Sequence, residues 1–223
     1  SQPEIVITPD QFDRDPMLLN CKNGMIDLRN GHLVRHNPDA LITKIARIDY
    51  APDAPCSLWL EFLDRIMDGN EKMISFLQRA VGYSLTGDIS EQCLFMSYGT
   101  GANGKSVFSD TILSLSGDYG QAAEFSTFLS KAQDGIRNDI ARLVGARFVS
   151  ALEAGEGRQL SEVIVKSLTG GDAVTARFLH KELFTFRPQF KLWLATNHKR
   201  VISGTDYAIW RRIRLIPFMV TIP

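Results

Sequence analysis

One segment of the chain has the residue types and spacing of a phosphate-binding loop. Residues 99–106 read GTGANGKS and match G-x-x-x-x-G-K-[ST] at every fixed position. Glycines let the backbone curl so that N–H groups point at phosphate oxygens, and a helix beginning there adds its positive pole. Lys105 would reach the β- and γ-phosphates, and the Ser106 hydroxyl would bind Mg²⁺. The residues expected to bind the nucleotide are Gly99, Thr100, Gly101, Ala102, Asn103, Gly104, Lys105, Ser106 and Val107.

The surroundings of this segment, called the P-loop below, favour the same interpretation. An apolar run from Gln92 to Tyr98 predicts a buried strand before it, and apolar residues at helical spacing follow it from Lys105 to Leu115. A glycine-rich turn with an incidental lysine would require neither neighbour. We therefore expect ATP and Mg²⁺ as cofactors.

A nucleoside triphosphatase also needs a carboxylate at the end of a neighbouring strand, to hold Mg²⁺ or polarise water. The apolar run at residues 148–152 predicts such a strand, Glu153 ends it, and Glu156 follows three residues later. The structural alternative is that Glu153 only caps the loop after the strand. We expect Glu153 at the metal and both carboxylates near the catalytic water, and the sequence leaves open which one is the base.

Two further polar groups suit phosphate chemistry. Asn197 ends the predicted strand LWLAT and could orient water or contact a γ-phosphate, although asparagine is also a common turn residue. Arg211 and Arg212 stand at the start of another predicted strand. Their forked, permanent charges suit a transition-state phosphoryl group, while the alternative is an edge strand that displays cations to solvent.

The elements that would position these residues alternate between strands and helices. Strands are predicted at 92–98, 148–152, 190–195 and 213–218, with helical patterns at 105–115, 139–144 and 160–168. This alternation predicts a mostly parallel sheet covered on both faces. The fold class is therefore α/β, a P-loop NTPase core with a small α+β region before it.

The first part of the chain differs from this pattern. Short strands with a hairpin at Asn30-Gly31 are predicted between residues 17 and 34, a breaker follows at 51–55, and two amphipathic helices follow between Leu58 and Val81. We divide the chain into a small amino-terminal region, a helical segment and the motor core, at residues 1–55, 56–90 and 91–223.

Composition places the chain among folded, non-membrane proteins. Of its 223 residues 44% are hydrophobic and 22% charged, which excludes disordered and collagen-like classes. No apolar run approaches the ~18 residues of a membrane span, and no signal-peptide pattern is present. Cys21, Cys56 and Cys93 lie far apart, with no CxxC spacing and an odd count, so they indicate buried thiols in a reducing compartment. We expect a cytoplasmic location.

Charge is balanced overall but not along the chain. Residues 158–214 contain 11 basic and 4 acidic residues, while the whole chain has 25 of each. Such asymmetry fits either a segment that meets a polyanion or cations scattered over a solvated surface.

Together these elements resemble the superfamily 3 helicase domain of phage and plasmid primase–helicases, which is related to the poxvirus primase–helicase. The resemblance covers most of the chain, and the first ~55 residues resemble the region before the helicase more weakly. The strings that carry it are YGTGANGKSV at 98–107, the Glu153–Glu156 segment, KSLTGGDAVTARF at 166–178, LWLATNH at 192–198 and GTDYAIWRRIRLIPF at 204–218.

The resemblance implies an AAA+-like core that works as a homo-oligomeric ring, usually of six subunits, with ATP sites between subunits. In that family the P-loop is the Walker A motif, and the positions of Glu153 and Asn197 match the end of Walker B and the sensor. Arg212 sits best in the register of the arginine finger, with Arg211 as the fallback. Many P-loop enzymes close Walker B with two adjacent acidic residues, whereas Ala154 follows Glu153 here.

The family also carries a hairpin that grips DNA in the central channel. Residues 174–179 and 183–186 match it, with a break at residues 180–182. Lys181 and His180 at the tip, with Arg177 and Lys166 near the base, would contact the phosphates of single-stranded or forked DNA. Phe184 and Phe186 alternate with polar residues, which favours packing on one hairpin face over stacking on bases.

The resemblance therefore implies an ATP-dependent DNA helicase domain of a replication primase–helicase, from a phage or plasmid in a bacterial host. A primase module is expected upstream in the full-length chain, and a small helical or winged-helix element downstream. The alternative function is a nucleotide-binding module that assembles or recruits replication proteins without processive unwinding.

Overall fold

The computed structural model of the protein describes residues 7–130, 138–153, 159–197 and 207–222. Within these ranges no helix is long and apolar enough to cross a bilayer. Glu156 lies outside them, so its predicted role stays a prediction.

The amino-terminal part contains a small antiparallel sheet of β1 (Leu18–Cys21), β2 (Gly24–Asp27) and β3 (His32–Val34). The predicted hairpin at Asn30-Gly31 joins β2 to β3. Gly31 has a φ of 76°, and its N–H donates to the carbonyl of Asp27 at 2.7 Å. A positive φ of this size costs glycine little, which explains why the turn forms here.

Two helices follow the proline-containing breaker, as their apolar spacing predicts. Helix α1 covers Ser57–Ile66 and α2 covers Glu71–Leu85. Cys56, directly before α1, is exposed, so the expectation of a buried thiol is wrong there, whereas Cys21 and Cys93 are buried. The side chain of Asn70 caps α2 by accepting the N–H of Met73 at 3.1 Å. Both helices bury apolar side chains on the same cluster as the central sheet, including Leu63, Ile66 and Leu77.

The central sheet has five parallel strands in the order β10-β4-β9-β6-β5. The expected fold class, an α/β core after a smaller α+β region, is confirmed. The three-residue strand β5 was not predicted, because GQA has no apolar pattern and its place comes from backbone pairing with β6. The strands are β4 (Leu94–Tyr98), β5 (Gly120–Ala122), β6 (Phe148–Leu152), β9 (Lys191–Thr196) and β10 (Ile213–Pro217).

Apolar clusters cover both faces of this sheet. On β9, Leu192 and Leu194 belong to one cluster, and Trp193 between them belongs to the other. Neighbouring strands alternate in the same way, which explains the unbroken apolar runs in the sequence. The connecting helices are α3 (Lys105–Ser116), α4 (Asn138–Ala141), α5 (Glu162–Thr169) and α6 (Tyr207–Trp210). Helix α4 is shorter than expected, and the chain turns at Gly145 with a φ of 70°.

A separate antiparallel pair, β7 (Val174–Ala176) and β8 (Phe184–Phe186), forms the predicted hairpin. Val174 and Ala176 are buried, and Phe184 and Phe186 pack against the larger apolar cluster. The expectation that these two phenylalanines pack on one hairpin face is thus confirmed.

Two buried cations lie at the amino-terminal edge of the central sheet. Lys191 is 1% exposed. Its ammonium donates to the carbonyls of Thr86 at 2.5 Å and Asp88 at 3.0 Å, and lies 4.6 Å from the centre of the Tyr83 ring. Burial, with the nearby charge of Arg147, lowers the pKa of Lys191 to about 7.

Arg147 links three parts of the chain at this edge. Its guanidinium donates to the carbonyl of Leu85 at the end of α2 at 2.9 Å and to that of Leu18 in β1 at 2.8 Å. It also lies 4.5 Å from the centre of the Tyr119 ring. One side chain directly before β6 thus contacts both preceding segments. The division of the chain into three regions stays a prediction.

Candidate nucleotide-binding site

The P-loop joins β4 to α3 through backbone conformations that favour glycine. Gly104 caps α3 with a φ of 84°, and a Cβ there would lie 2.7 Å from Ile66. A Cβ on Gly99 would lie 2.0 Å from the carbonyl oxygen of Phe218. The motif glycines are therefore required by the turn and by the chain that packs against it.

The segment after β10 lies against the P-loop. The amide of Asn103 donates to the carbonyl of Phe218 at 2.8 Å, and the N–H of Ile222 donates to the carbonyl of Ala102 at 2.6 Å. These bonds tie two points of the P-loop to the end of the described chain.

The side chain of Lys105 curls back over the P-loop. Its ammonium donates to the carbonyl of Gly99 at 2.6 Å and to the Asn103 side-chain oxygen at 2.9 Å, and the residue is 7% exposed. Burial lowers the pKa of Lys105. The cation is thus held beside the backbone that would surround a phosphate.

Backbone N–H groups of the P-loop are available to an anion. Among the described residues, the N–H groups of residues 101–107 donate to no other group. Some belong to the first turn of α3, a 12-residue helix whose amino-terminal N–H groups lack partners within the helix. Free N–H groups, a helix N-terminus and a lysine are together suited to phosphate oxygens.

The ends of three adjacent strands bring the predicted residues to one edge of the sheet. Tyr98 at the end of β4 pairs with Thr196 at the end of β9, and Leu152 at the end of β6 pairs with Ala195. Because neighbouring strands are about 4.8 Å apart, Glu153 and Asn197 lie at the edge from which the P-loop emerges. Asn197 is exposed there, as a contact to a nucleotide requires.

Thr196 is a site residue that the sequence analysis missed. Its hydroxyl is within hydrogen-bonding distance of a carboxylate oxygen of Glu153 and is the donor, and the residue is 1% exposed. A hydroxyl at the last position of a fully buried strand requires a partner, and that requirement is the signal that could have identified it.

The donor set fits a magnesium ion held together with a nucleotide. Ser106 is exposed at the first turn of α3, and Glu153 is half-buried at the end of β6. Both offer the oxygen ligands that Mg²⁺ prefers, and this ion usually keeps several waters and substrate phosphates. Within the ranges that the structure describes, no cluster of three or more His, Cys, Asp and Glu could hold a metal by itself.

The two arginines lie at the opposite end of the sheet. Ile213 pairs with Leu94 at the beginning of β4, so both arginines precede the amino-terminal end of β10. The five residues of β10 span roughly 15 Å, which separates the arginines from the P-loop of the same chain.

Their environments differ in a way that the sequence did not reveal. Arg212 is 8% exposed and donates to the hydroxyl of Thr169 at 3.2 Å, the carbonyl of Ala208 at 2.8 Å and the side chain of Gln92 at 3.3 Å. Arg211 is exposed. Arg212 is therefore engaged within its own chain, and Arg211 is the more accessible of the two.

The cations assigned to DNA also divide into two groups. His180 and Lys181 are exposed at the tip of the β7–β8 hairpin, with Arg177 just before it. Lys166 lies on α5 and pairs with Glu162 at 3.4 Å. The hairpin presents the first group together, while Lys166 already has an acidic partner.

Two family models match this chain. One is described as a family of unknown function, DUF5906, and matches residues 97–212, just over half of the chain. The other is described as D5 N terminal like and matches residues 1–68.

Similar curated proteins come from large DNA viruses. A protein named putative helicase from Acanthamoeba polyphaga mimivirus is 28% identical, over 93% of this chain and 22% of its own length. One named putative helicase from Frog virus 3 is 30% identical, over 75% of this chain and 18% of its own. One named putative primase from African swine fever virus is 25% identical, over 91% of this chain and 22% of its own length. The chain thus spans about a fifth of these relatives, and its expected phage or plasmid origin stays a prediction.

The fold is also similar to that of a solved protein, the C-terminal region of NrS-1 in its apo form. Two such structures match with TM-scores of 0.58 and 0.57, at 11% and 12% identity. They cover 80% and 84% of this chain, and 41% and 50% of theirs. At this identity the similarity concerns the fold alone.

Proposed function

The chain belongs to the family of unknown function DUF5906, and on that premise we propose that it is the ATP-hydrolysing motor of a replicative primase–helicase. One observation carries the proposal: three adjacent parallel strands bring the P-loop, the carboxylate of Glu153 and the amide of Asn197 to the same edge. The matches to viral proteins named putative helicase or primase support the same class of activity.

Each residue at this edge has a role in the proposal. The free N–H groups of the P-loop and the ammonium of Lys105 bind the phosphates of ATP, and Ser106 and Glu153 bind Mg²⁺. Glu153 also orients the attacking water, with Thr196 fixing its carboxylate, and Asn197 contacts the γ-phosphate. Lys105 exchanges its present carbonyl acceptors for phosphate oxygens.

The proposal includes a ring in which a neighbouring subunit completes each site. The distance between the arginines and their own P-loop supports this part, because neither guanidinium can reach that P-loop along β10. Of the two, Arg211 is the better candidate for contact with the neighbour's phosphates, since Arg212 is buried and hydrogen-bonded. The β7–β8 hairpin would hold single-stranded DNA by its phosphates.

ATP hydrolysis at increasing protein concentration, with and without single-stranded DNA, tests the proposal. We expect phosphate release per chain to rise steeply with concentration and to be stimulated by DNA. ATP binding without phosphate release at any concentration would contradict the motor and favour the assembly or recruitment module. A rate per chain independent of concentration would contradict the shared sites.

A further inference from the structure

The tip of the β7–β8 hairpin exposes large apolar side chains beside its cations. Phe178 is 42% exposed, and Leu179 and Leu183 are each 65% exposed. The apolar residues nearer the base of the hairpin, such as Val174 and Ala176, are buried. Apolar side chains of the hairpin thus extend beyond the core and into solvent.

The ring of Phe178 is held in a defined orientation. It stacks on the ring of Phe184 with centroids 5.5 Å apart and an interplanar angle of 19°. Phe184 packs in turn against the larger apolar cluster and stands 6.1 Å from the ring of Phe186. Stacking of this kind orders the Phe178 ring, and its exposed fraction leaves room for a second flat partner.

The hairpin turn places this ring next to positive charge. The N–H of Lys181 donates to the carbonyl of Phe178 at 3.0 Å, and His180 between them has a φ of 59°. In the part of the chain that the structure describes, the buried Nε of Arg177 has no hydrogen-bond partner. Lys181 is exposed, and Glu182 is the one acidic residue among positions 177–183.

We propose that Phe178 stacks on a base of single-stranded nucleic acid while Lys181 contacts a neighbouring phosphate. This inference rests on the proposed function, in which the hairpin holds a strand. An ordered aromatic face beside cations is the combination that single-stranded nucleic acid recognises, because every base has a flat face and every linkage a negative charge. A hydrophobic protein partner would not require the cations, so the charge favours nucleic acid.

The test compares a labelled oligodeoxythymidine with an abasic strand of the same length, both bound to the whole chain under conditions of ring assembly. In Phe178→Ala we expect roughly tenfold weaker binding of the thymidine strand, unchanged binding of the abasic strand and an unchanged salt dependence. Phe178→Tyr keeps an aromatic ring and should bind the thymidine strand more tightly than the abasic strand, as the wild type does. Phe12→Ala removes a phenylalanine that is 37% exposed elsewhere and is the matched control.

Lys181→Ala separates the charge from the ring. It should weaken the binding of both strands and reduce the slope of log affinity against log salt concentration by about one. If Phe178→Ala weakens the binding of both strands equally, the stacking role is wrong, and the hairpin binds the strand through its phosphates alone. A changed oligomeric state with unchanged strand affinity would assign the ring to a contact between copies. If the wild-type chain binds neither strand, the proposed DNA function is wrong, and the stacking proposal is wrong with it.

Discussion

The hydroxyl of Thr196 and the carboxylate of Glu153 form a hydrogen bond between the ends of two neighbouring strands. The hydroxyl of Thr196 is thus a fixed donor to the Glu153 carboxylate, at the edge of the sheet where the P-loop begins. A hydrogen bond to a charged group contributes about 1.5–3 kcal/mol, so its loss should lower stability by no more than that amount and should free the Glu153 carboxylate to turn.

We therefore predict that Thr196→Val lowers kcat for ATP by at least about tenfold, with little change in KM, since the fixed carboxylate matters in the transition state. Thr196→Ser keeps the donor and should restore most of the rate. Steady-state kinetics and thermal melts of both variants are the measurement. A Val variant that is as active as wild type would show that Glu153 does not depend on this hydroxyl.

A second prediction concerns Lys105. Lys105→Ala should abolish ATP turnover, because the P-loop loses the cation that would bind the β- and γ-phosphates. The control is Lys72→Ala, which removes an exposed lysine from α2 and should leave turnover unchanged. Phosphate release at saturating ATP measures both. Wild-type turnover in the Lys105 variant would mean that the P-loop is not the nucleotide site.

A third prediction separates the two arginines. Arg211→Ala should lose turnover without losing stability, and mixing it with Lys105→Ala protein should partly restore turnover if sites are shared between subunits. Arg212→Ala should instead lower the free energy of unfolding by about 2 kcal/mol, because it leaves the buried hydroxyl of Thr169 and the half-buried side chain of Gln92 without their donor. Denaturant melts and mixed-subunit assays distinguish them.

The opposite result has a clear meaning. If Arg212→Ala unfolds like wild type, loses turnover and is rescued by mixing, the finger is Arg212, as the family register implies. Lack of rescue in every mixture would contradict sites shared between subunits.

These arginines also show which features of the structure the sequence can predict and which it cannot. The P-loop and the strand ends at Glu153 and Asn197 follow local patterns, so spacing and periodicity predicted them, whereas the β7–β8 hairpin was expected from the family resemblance. The burial of Arg212 depends on acceptors that are distant in the chain, such as Gln92 and Thr169, and charge pattern alone cannot reveal them. Strand β5 is equally hidden, since it exists through pairing with β6.

A fourth prediction uses the buried ammonium of Lys191. Burial lowers its pKa to about 7 in the folded protein, whereas an unfolded lysine titrates near 10.5. Between these values the unfolded state binds the extra proton, so the free energy of unfolding should rise with pH, by at most about 1.4 kcal/mol per unit. Below pH 7 both states are charged and this dependence should vanish.

Lys191→Met provides the reference for that measurement. Denaturant melts from pH 6 to 9 should show wild type gaining about 2 kcal/mol relative to the Met variant above pH 7. If the difference in free energy of unfolding between the two proteins does not change with pH, the carbonyls of Thr86 and Asp88 keep the ammonium charged. Other titrating groups are shared by both proteins and cancel in the comparison.

The placement of β10 has one more consequence. Its carboxyl end continues into Phe218, whose carbonyl is bonded to Asn103 of the P-loop, and its amino end follows directly after Arg211 and Arg212. Within one chain, β10 thus connects the P-loop to the two arginines, which in the proposed ring would face the next subunit. If the ring is assembled as proposed, a shift at either end of β10 would move the other end too. Successive subunits would then hydrolyse ATP in turn rather than at random.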